Sequence, residues 1–315
     1  MNSTNFCSNK LIRFGFIVAA LVIAGTSSLS HAANKLASTA QEYQVGSMHV
    51  AQYGKQTGKG APIILIPGLS SGAYVWDDTV KQLENDHILY VVTLAGFNGT
   101  PAIEGNMMEK AKQSLSELIS NKKISKPILV GHSLGATLSI WFATEHSDLL
   151  SGVFAVDGLP VFPGTENVPQ EQRHAMAQGM KARMSGLNKE QFEQNQQQYM
   201  KYAIMDEKQA AEIAKLSAKS DANAVAQYMA EDAELDVRKG LSAIQVPLAL
   251  VFPFNAPDMA QYNRTEDQIT SYYSALMQGT PKLQLHTVRD ARHFLMLDQP
   301  KVFAEKLQSF VQSVE

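Results

Sequence analysis

Three residue types in this chain could together transfer an acyl group: a serine between glycines, a histidine near the C-terminus and an aspartate between the two. Gly131-His132-Ser133-Leu134-Gly135 follows an apolar run ending at Val130 and opens a helical pattern with Leu138, Trp141 and Phe142 on one face. A serine at the apex of a tight strand-to-helix turn is held in strained backbone angles that expose its hydroxyl, and the flanking glycines remove side chains that would strike strand and helix. The helix N-terminus adds amide dipoles that favour an anion there. Ser133 is therefore the expected nucleophile. Gly68-Leu69-Ser70-Ser71-Gly72 repeats the spacing after another apolar run, but Pro67 precedes it and the next helix start is Asp77. Ser70 and Ser71 read instead as a polar loop lining a pocket.

A serine is inert without a base. Of the eight histidines, His31 falls in the N-terminal segment, and His132 points away from its neighbour Ser133 by strand alternation. His87 and His146 sit at element ends, and His174 lies in a helical stretch. His293 follows the last apolar run across Arg289-Asp290-Ala291-Arg292 and precedes a helical pattern over residues 299–311. A loop at the C-terminal edge of a sheet is where ligand chemistry gathers in α/β folds, which makes His293 the expected base. The acid that holds the imidazole in one tautomer should follow a strand between serine and histidine. Asp258, after Pro253-Phe254-Asn255-Ala256-Pro257, is the expected acid; Asp157, at the end of the preceding strand, is the alternative. Strand-end aspartates also serve as plain caps and turns.

The elements that must position these residues alternate. Apolar runs at 62–66, 88–94, 126–130, 152–156, 247–252 and 283–288 are continuous rather than alternating, which implies strands buried on both faces. Residues 42–45 and 48–53 read as a hairpin around Gly46-Ser47, and helical stretches such as 76–83, 107–119 and 134–146 separate the strands. The pattern predicts an α/β fold with a mainly parallel sheet. From 158 to 240 the rhythm changes to helices alone. Pro169 suits the start and Gly186 the end of one carrying Met176, Met180 and Met184, and Asn188 with Gln191 caps the next. Residues 206–220 and 221–233 read as two more. The expected organisation is a core of residues 33–157 and 241–315 with a helical insertion at 158–240.

The chain has 315 residues, 45% hydrophobic and 18% charged, with 27 Lys+Arg against 30 Asp+Glu. That composition is globular, and it holds no basic stripe for nucleic acid. The single cysteine, Cys7, excludes a disulfide framework and a cysteine-based metal site. Lys10 and Arg13 precede a short apolar run, 14–24, and then Ser30-His31-Ala32. These are the parts of a secretory signal peptide over 1–32, with cleavage expected after Ala32, a periplasmic or secreted destination and no membrane span in the mature form.

Together these residues resemble the α/β-hydrolase superfamily, of the kind with a helical cap. The likeness runs through Ile66-Pro67-Gly68, where members often have His-Gly, then Gly131–Gly135, Asp236-Val237-Arg238 leading to Val246-Pro247, and His293-Phe294 before a terminal helix. The resemblance implies an oxyanion hole from the backbone N–H groups of Leu69 and Leu134, and an acyl-enzyme mechanism with no metal or organic cofactor. It argues against the dehalogenases and epoxide hydrolases of the superfamily, which carry an aspartate at the elbow. The methionines and aromatics of the insertion, among them Phe192, Tyr199, Tyr202 and Tyr228, either pack the cap onto the core or face an apolar ligand. The expected activity is cleavage of a small or medium carboxylic ester. An amide or peptide substrate (as in an iminopeptidase), a cofactor-free perhydrolase and an inactive binding protein are the alternatives.

Overall fold

The computed structural model describes residues 40–54 and 60–315; the signal peptide expected over 1–32 lies outside them. Strands β1 (Gln41–Val45), β2 (Met48–Tyr53) and β3 (Ile63–Ile66) lead to helix α1 (Asp77–Leu83). Then come β4 (Leu89–Thr93), α2 (Met107–Asn121), β5 (Ile128–His132), α3 (Leu134–His146) and β6 (Gly152–Val156). Four helices follow: α4 (Gln170–Ser185), α5 (Lys189–Ala203), α6 (Glu207–Ser217) and α7 (Ala222–Glu234). The chain ends with β7 (Leu248–Phe254), α8 (Ala256–Ala260), α9 (Glu266–Leu276), β8 (Leu283–Arg289), α10 (Leu295–Asp298) and α11 (Pro300–Val314).

The strands form one sheet in the order β1-β2-β4-β3-β5-β6-β7-β8. β1, β2 and β4 pair antiparallel, and every pair from β4 to β8 is parallel. This is the α/β-hydrolase architecture. Strand alternation sorts the apolar runs onto two faces: Ile64 and Ile66 of β3 enter the core shared with α2 and α3, and Ile63 and Leu65 enter the one shared with α1 and α11. All four are fully buried, each contributing roughly 1.5–3 kcal/mol on folding.

The helices between β6 and β7 carry the ends their sequence specifies. Pro169 occupies the N-cap of α4, where its fixed φ suits a helix start. Asn188 and Gln191 make a reciprocal capping box on α5, and Asp206 and Asp221 cap α6 and α7. The two ends of this segment meet in a neck. Val161 bridges Asp236, and the Val237 N–H donates to the Pro160 carbonyl at 2.8 Å. Arg238 grips both oxygens of Asp236 at 2.8 and 2.7 Å and Arg173 adds a third contact at 3.0 Å. Among the described residues no helix is long and apolar enough to cross a membrane.

Candidate active site

Ser133 is the hinge between β5 and α3. Its φ of 52° and ψ of −121° lie where L-residues with a side chain rarely go. Three hydrogen bonds hold it there: its N–H donates to the Val156 carbonyl at 2.8 Å, and its carbonyl accepts from Ala136 and Thr137 at 2.8 and 3.0 Å. The flanking glycines permit the turn by close approach. A Cβ on Gly131 would stand 2.2 Å from the Gly135 carbonyl oxygen, and one on Gly135 would stand 2.4 Å from that of Ile66. No side chain fits at either position.

His293 reaches the same edge from the loop after β8, and its Nδ1 lies 2.6 Å from Oδ2 of Asp157. A carboxylate only accepts, so Nδ1 carries the proton and Nε2 is left as the lone-pair base. Asp157 follows β6 directly; its N–H donates to the Val251 carbonyl at 2.8 Å, and its φ of 46° turns the chain off the sheet. The other oxygen, Oδ1, accepts from the hydroxyl of Tyr273 on α9 at 2.6 Å.

The expected pairing of Asp258 with His293 is corrected. β7 continues to Phe254, Asn255 then caps α8, and its side chain accepts the Asp258 N–H at 3.1 Å. Asp258 therefore sits in the first turn of α8, where Arg292 takes both its oxygens, at 2.8 and 3.1 Å. Arg292 also donates to the Lys201 carbonyl at 3.1 Å, tying the His293 loop to α5. The alternative acid, Asp157, is the carboxylate in contact with the imidazole.

The two serine-centred turns differ as sequence reasoning anticipates. Ser70 is buried, with φ of 58°, and its hydroxyl donates to the Ser217 carbonyl at 3.0 Å while its own carbonyl accepts from Ser220 at 3.3 Å. It fastens the loop after β3 to the turn between α6 and α7. In that same loop the Ser71 N–H donates to the Gly68 carbonyl at 3.1 Å, folding the turn that presents Leu69. Leu134 heads α3, where the first backbone N–H groups have no intrahelical acceptor.

His132 lies closer to the site than strand alternation alone suggests. Its Nε2 donates to the His293 carbonyl at 3.0 Å, its ring stacks between His293 and Phe294 at centroid distances of 4.6 Å each, and its Nδ1 has no partner. Burial, aided by the neighbouring His293, holds this imidazole well below its ordinary pKa, so it stays neutral. From the helical segment, Tyr199 of α5 presents a ring edge to His293 at 6.3 Å while remaining 44% exposed. Phe192, Met200 and Tyr228 are buried packing residues, whereas Met176, Tyr202 and Met205 are exposed. The insertion thus contains both kinds of apolar residue. Among the described residues no cluster of His, Cys, Asp and Glu is arranged to hold a metal.

A model of the alpha/beta hydrolase family matches residues 63–306, which takes in the elbow, Asp157, the helical segment and His293. The chain belongs to the alpha/beta hydrolase family. It is similar to a pimeloyl-[acyl-carrier protein] methyl ester esterase of Vibrio atlanticus, 32% identical over 110 residues, 35% of this chain and 41% of that protein. It is also similar to epoxide hydrolase 3 of Xenopus tropicalis, 30% identical over 98 residues, 30% of this chain and 27% of that protein. In each case the match spans less than half the relative's length. Among solved structures, a thermophilic esterase from Thermogutta terrifontis superposes with a TM-score of 0.68 at 19% identity, over 87% of this chain and 99% of that one. At that identity the likeness is one of fold.

Proposed function

We propose that this hydrolase cleaves a small or medium carboxylic ester through an acyl-enzyme on Ser133, with His293 as base and Asp157 as acid. The observation that carries this reading is the 2.6 Å contact between His293 Nδ1 and Asp157, with the strained Ser133 on the neighbouring strand end. Ser133 Oγ attacks the ester carbonyl as its proton passes to His293 Nε2. The oxyanion that forms takes hydrogen bonds from the Leu69 and Leu134 N–H groups, each worth about 3 kcal/mol of barrier. The imidazolium then protonates the leaving alcohol, and water repeats the sequence to free the acid. Asp157 keeps the Nδ1 proton in place and stabilises the imidazolium.

A serine at the elbow favours the esterase-like relative over the epoxide hydrolase as the guide to chemistry. The ring edge of Tyr199 beside His293 supports an apolar acyl or alcohol group in the substrate. Lys10, Arg13, the apolar run 14–24 and Ala32 support export with removal of residues 1–32.

One experiment tests both points. The full-length gene is expressed with its leader, and the exported protein is treated with a fluorophosphonate, which needs an activated serine but little substrate fit. Intact and peptide masses should show a chain starting at Ala33 with one phosphonyl group on Ser133. Ser133→Ala should lose the label with little change in melting temperature, and Ser70→Ala should keep it. A folded wild type that takes no label, or a label on another serine, refutes the mechanism. A chain still starting at Met1 refutes export.

A further inference from the structure

The end of β7 lies between the two strands that supply Asp157 and His293, so the imidazole contacts a carboxylate two strand spacings away, about 10 Å across the sheet. An aromatic stack occupies the place between. Phe252, near the end of β7, is fully buried, and the ring of Tyr273 lies on it at a centroid distance of 4.2 Å and an interplanar angle of 9°. The hydroxyl at the far end of that ring donates to Asp157 Oδ1 at 2.6 Å, while Oδ2 of the same carboxylate receives the His293 Nδ1–H at 2.6 Å. α9 is itself held at both ends: Tyr272 bonds Glu166 in the loop before α4, and Arg289 of β8 pairs with Glu266 at 2.8 Å.

We propose that Tyr273 is a positioning residue of this active site, its hydroxyl fixing the rotation of the Asp157 carboxylate so that one oxygen stays aimed at His293. The inference rests on the reading of Asp157 as the acid. Without a second donor the carboxylate could turn about its own axis and lengthen the bond to the imidazole. Burial, with the Asp157 charge beside it, drives the Tyr273 phenol well above its ordinary pKa, so it remains a donor throughout the working range. The other titratable groups facing the pair are His132 from β5 and Tyr199 from α5; Arg292, next to His293 in the chain, is bound to Asp258.

The bond draws on the carboxylate charge that would otherwise act on the imidazolium, which fixes the sign of the test. Tyr273→Phe keeps the stack on Phe252 and removes only the donor. The rate of fluorophosphonate labelling should fall about three- to tenfold, and its acid limb should move to higher pH by about half a unit. Replacement of Tyr273 by 3-fluorotyrosine, a stronger donor, should move the limb to lower pH. Tyr272→Phe should label with the wild-type profile. Unmoved limbs in both Tyr273 variants overturn the proposal, including the case where Tyr273→Phe only lowers the melting temperature and the rate together. Asp157→Asn, measured alongside, separates the two levels. Loss of labelling there with an unchanged Tyr273→Phe profile sinks only the role of Tyr273, whereas wild-type labelling of Asp157→Asn sinks the acid assignment as well.

Discussion

Arg292 holds both oxygens of Asp258, and the side chains of both partners are about 30% exposed. An ion pair that open contributes at most about 1 kcal/mol. Asp157 is the more enclosed carboxylate, fastened between His293 and Tyr273. The two aspartates should therefore fail differently. Asp157→Asn should lower turnover of a p-nitrophenyl ester by about ten-thousandfold, because the amide puts the wrong tautomer on the imidazole. Asp258→Asn should lower it less than about tenfold and cost a few degrees of melting temperature. Equal losses would reopen the choice of acid. Ser133 and His293 were legible because each is announced by its immediate neighbours, a glycine-flanked turn and a loop after the last strand. The choice between the aspartates was not, since it depends on Arg292, 34 positions from Asp258, and on where β7 stops. Tyr273 carries no signal at all. It is one aromatic among several on a helix, and its role exists only once β7 and α9 are packed together.

At the scale of elements, sequence and structure agree where the determinants are local. The starts of α4, α5, α6 and α7 sit next to the proline, asparagine and aspartates that specify them. The agreement fails where pairing decides. β7 was expected to end at residue 252, yet it runs to Phe254 through Pro253. The pairing with β6 ends at Val251, and Pro253 and Phe254 are paired with β8 alone, so the missing proline N–H breaks no bond to β6. The junction of β5 and α3 gives a test of element packing. In an ordinary helix Gly→Ala stabilises by about 0.5–1 kcal/mol. At Gly135 the new Cβ would lie 2.4 Å from a backbone oxygen of Ile66, and backbone has little room to yield. Gly135→Ala should therefore destabilise by about 1–3 kcal/mol, read as a lower urea midpoint. An unchanged or higher midpoint would mean that β3 and α3 are not in this contact.

For the molecule as a whole, the fully buried His132 makes stability depend on pH. Its folded pKa is depressed, so protons bind preferentially to the unfolded chain, where the ordinary value of 6.5 applies. Stability from this group is complete above that value and is lost as pH falls through it, by up to about 1.4 kcal/mol per pH unit. Unfolding free energy measured from pH 7.5 to 5 should fall more steeply for wild type than for His132→Gln. Parallel slopes would show that the imidazole is not held neutral in the fold.

The neck formed by Val161 and Asp236 has a consequence for how the chain could be divided. A cut in the segment between them leaves Ser133 and Asp157 on the first piece and Tyr273 and His293 on the second. Neither piece holds a working set, but the strand pairing of β6 with β7 runs across the division and would bring the halves back together. The protein is in this sense already laid out as a two-part complementation system, silent when separated and active when rejoined.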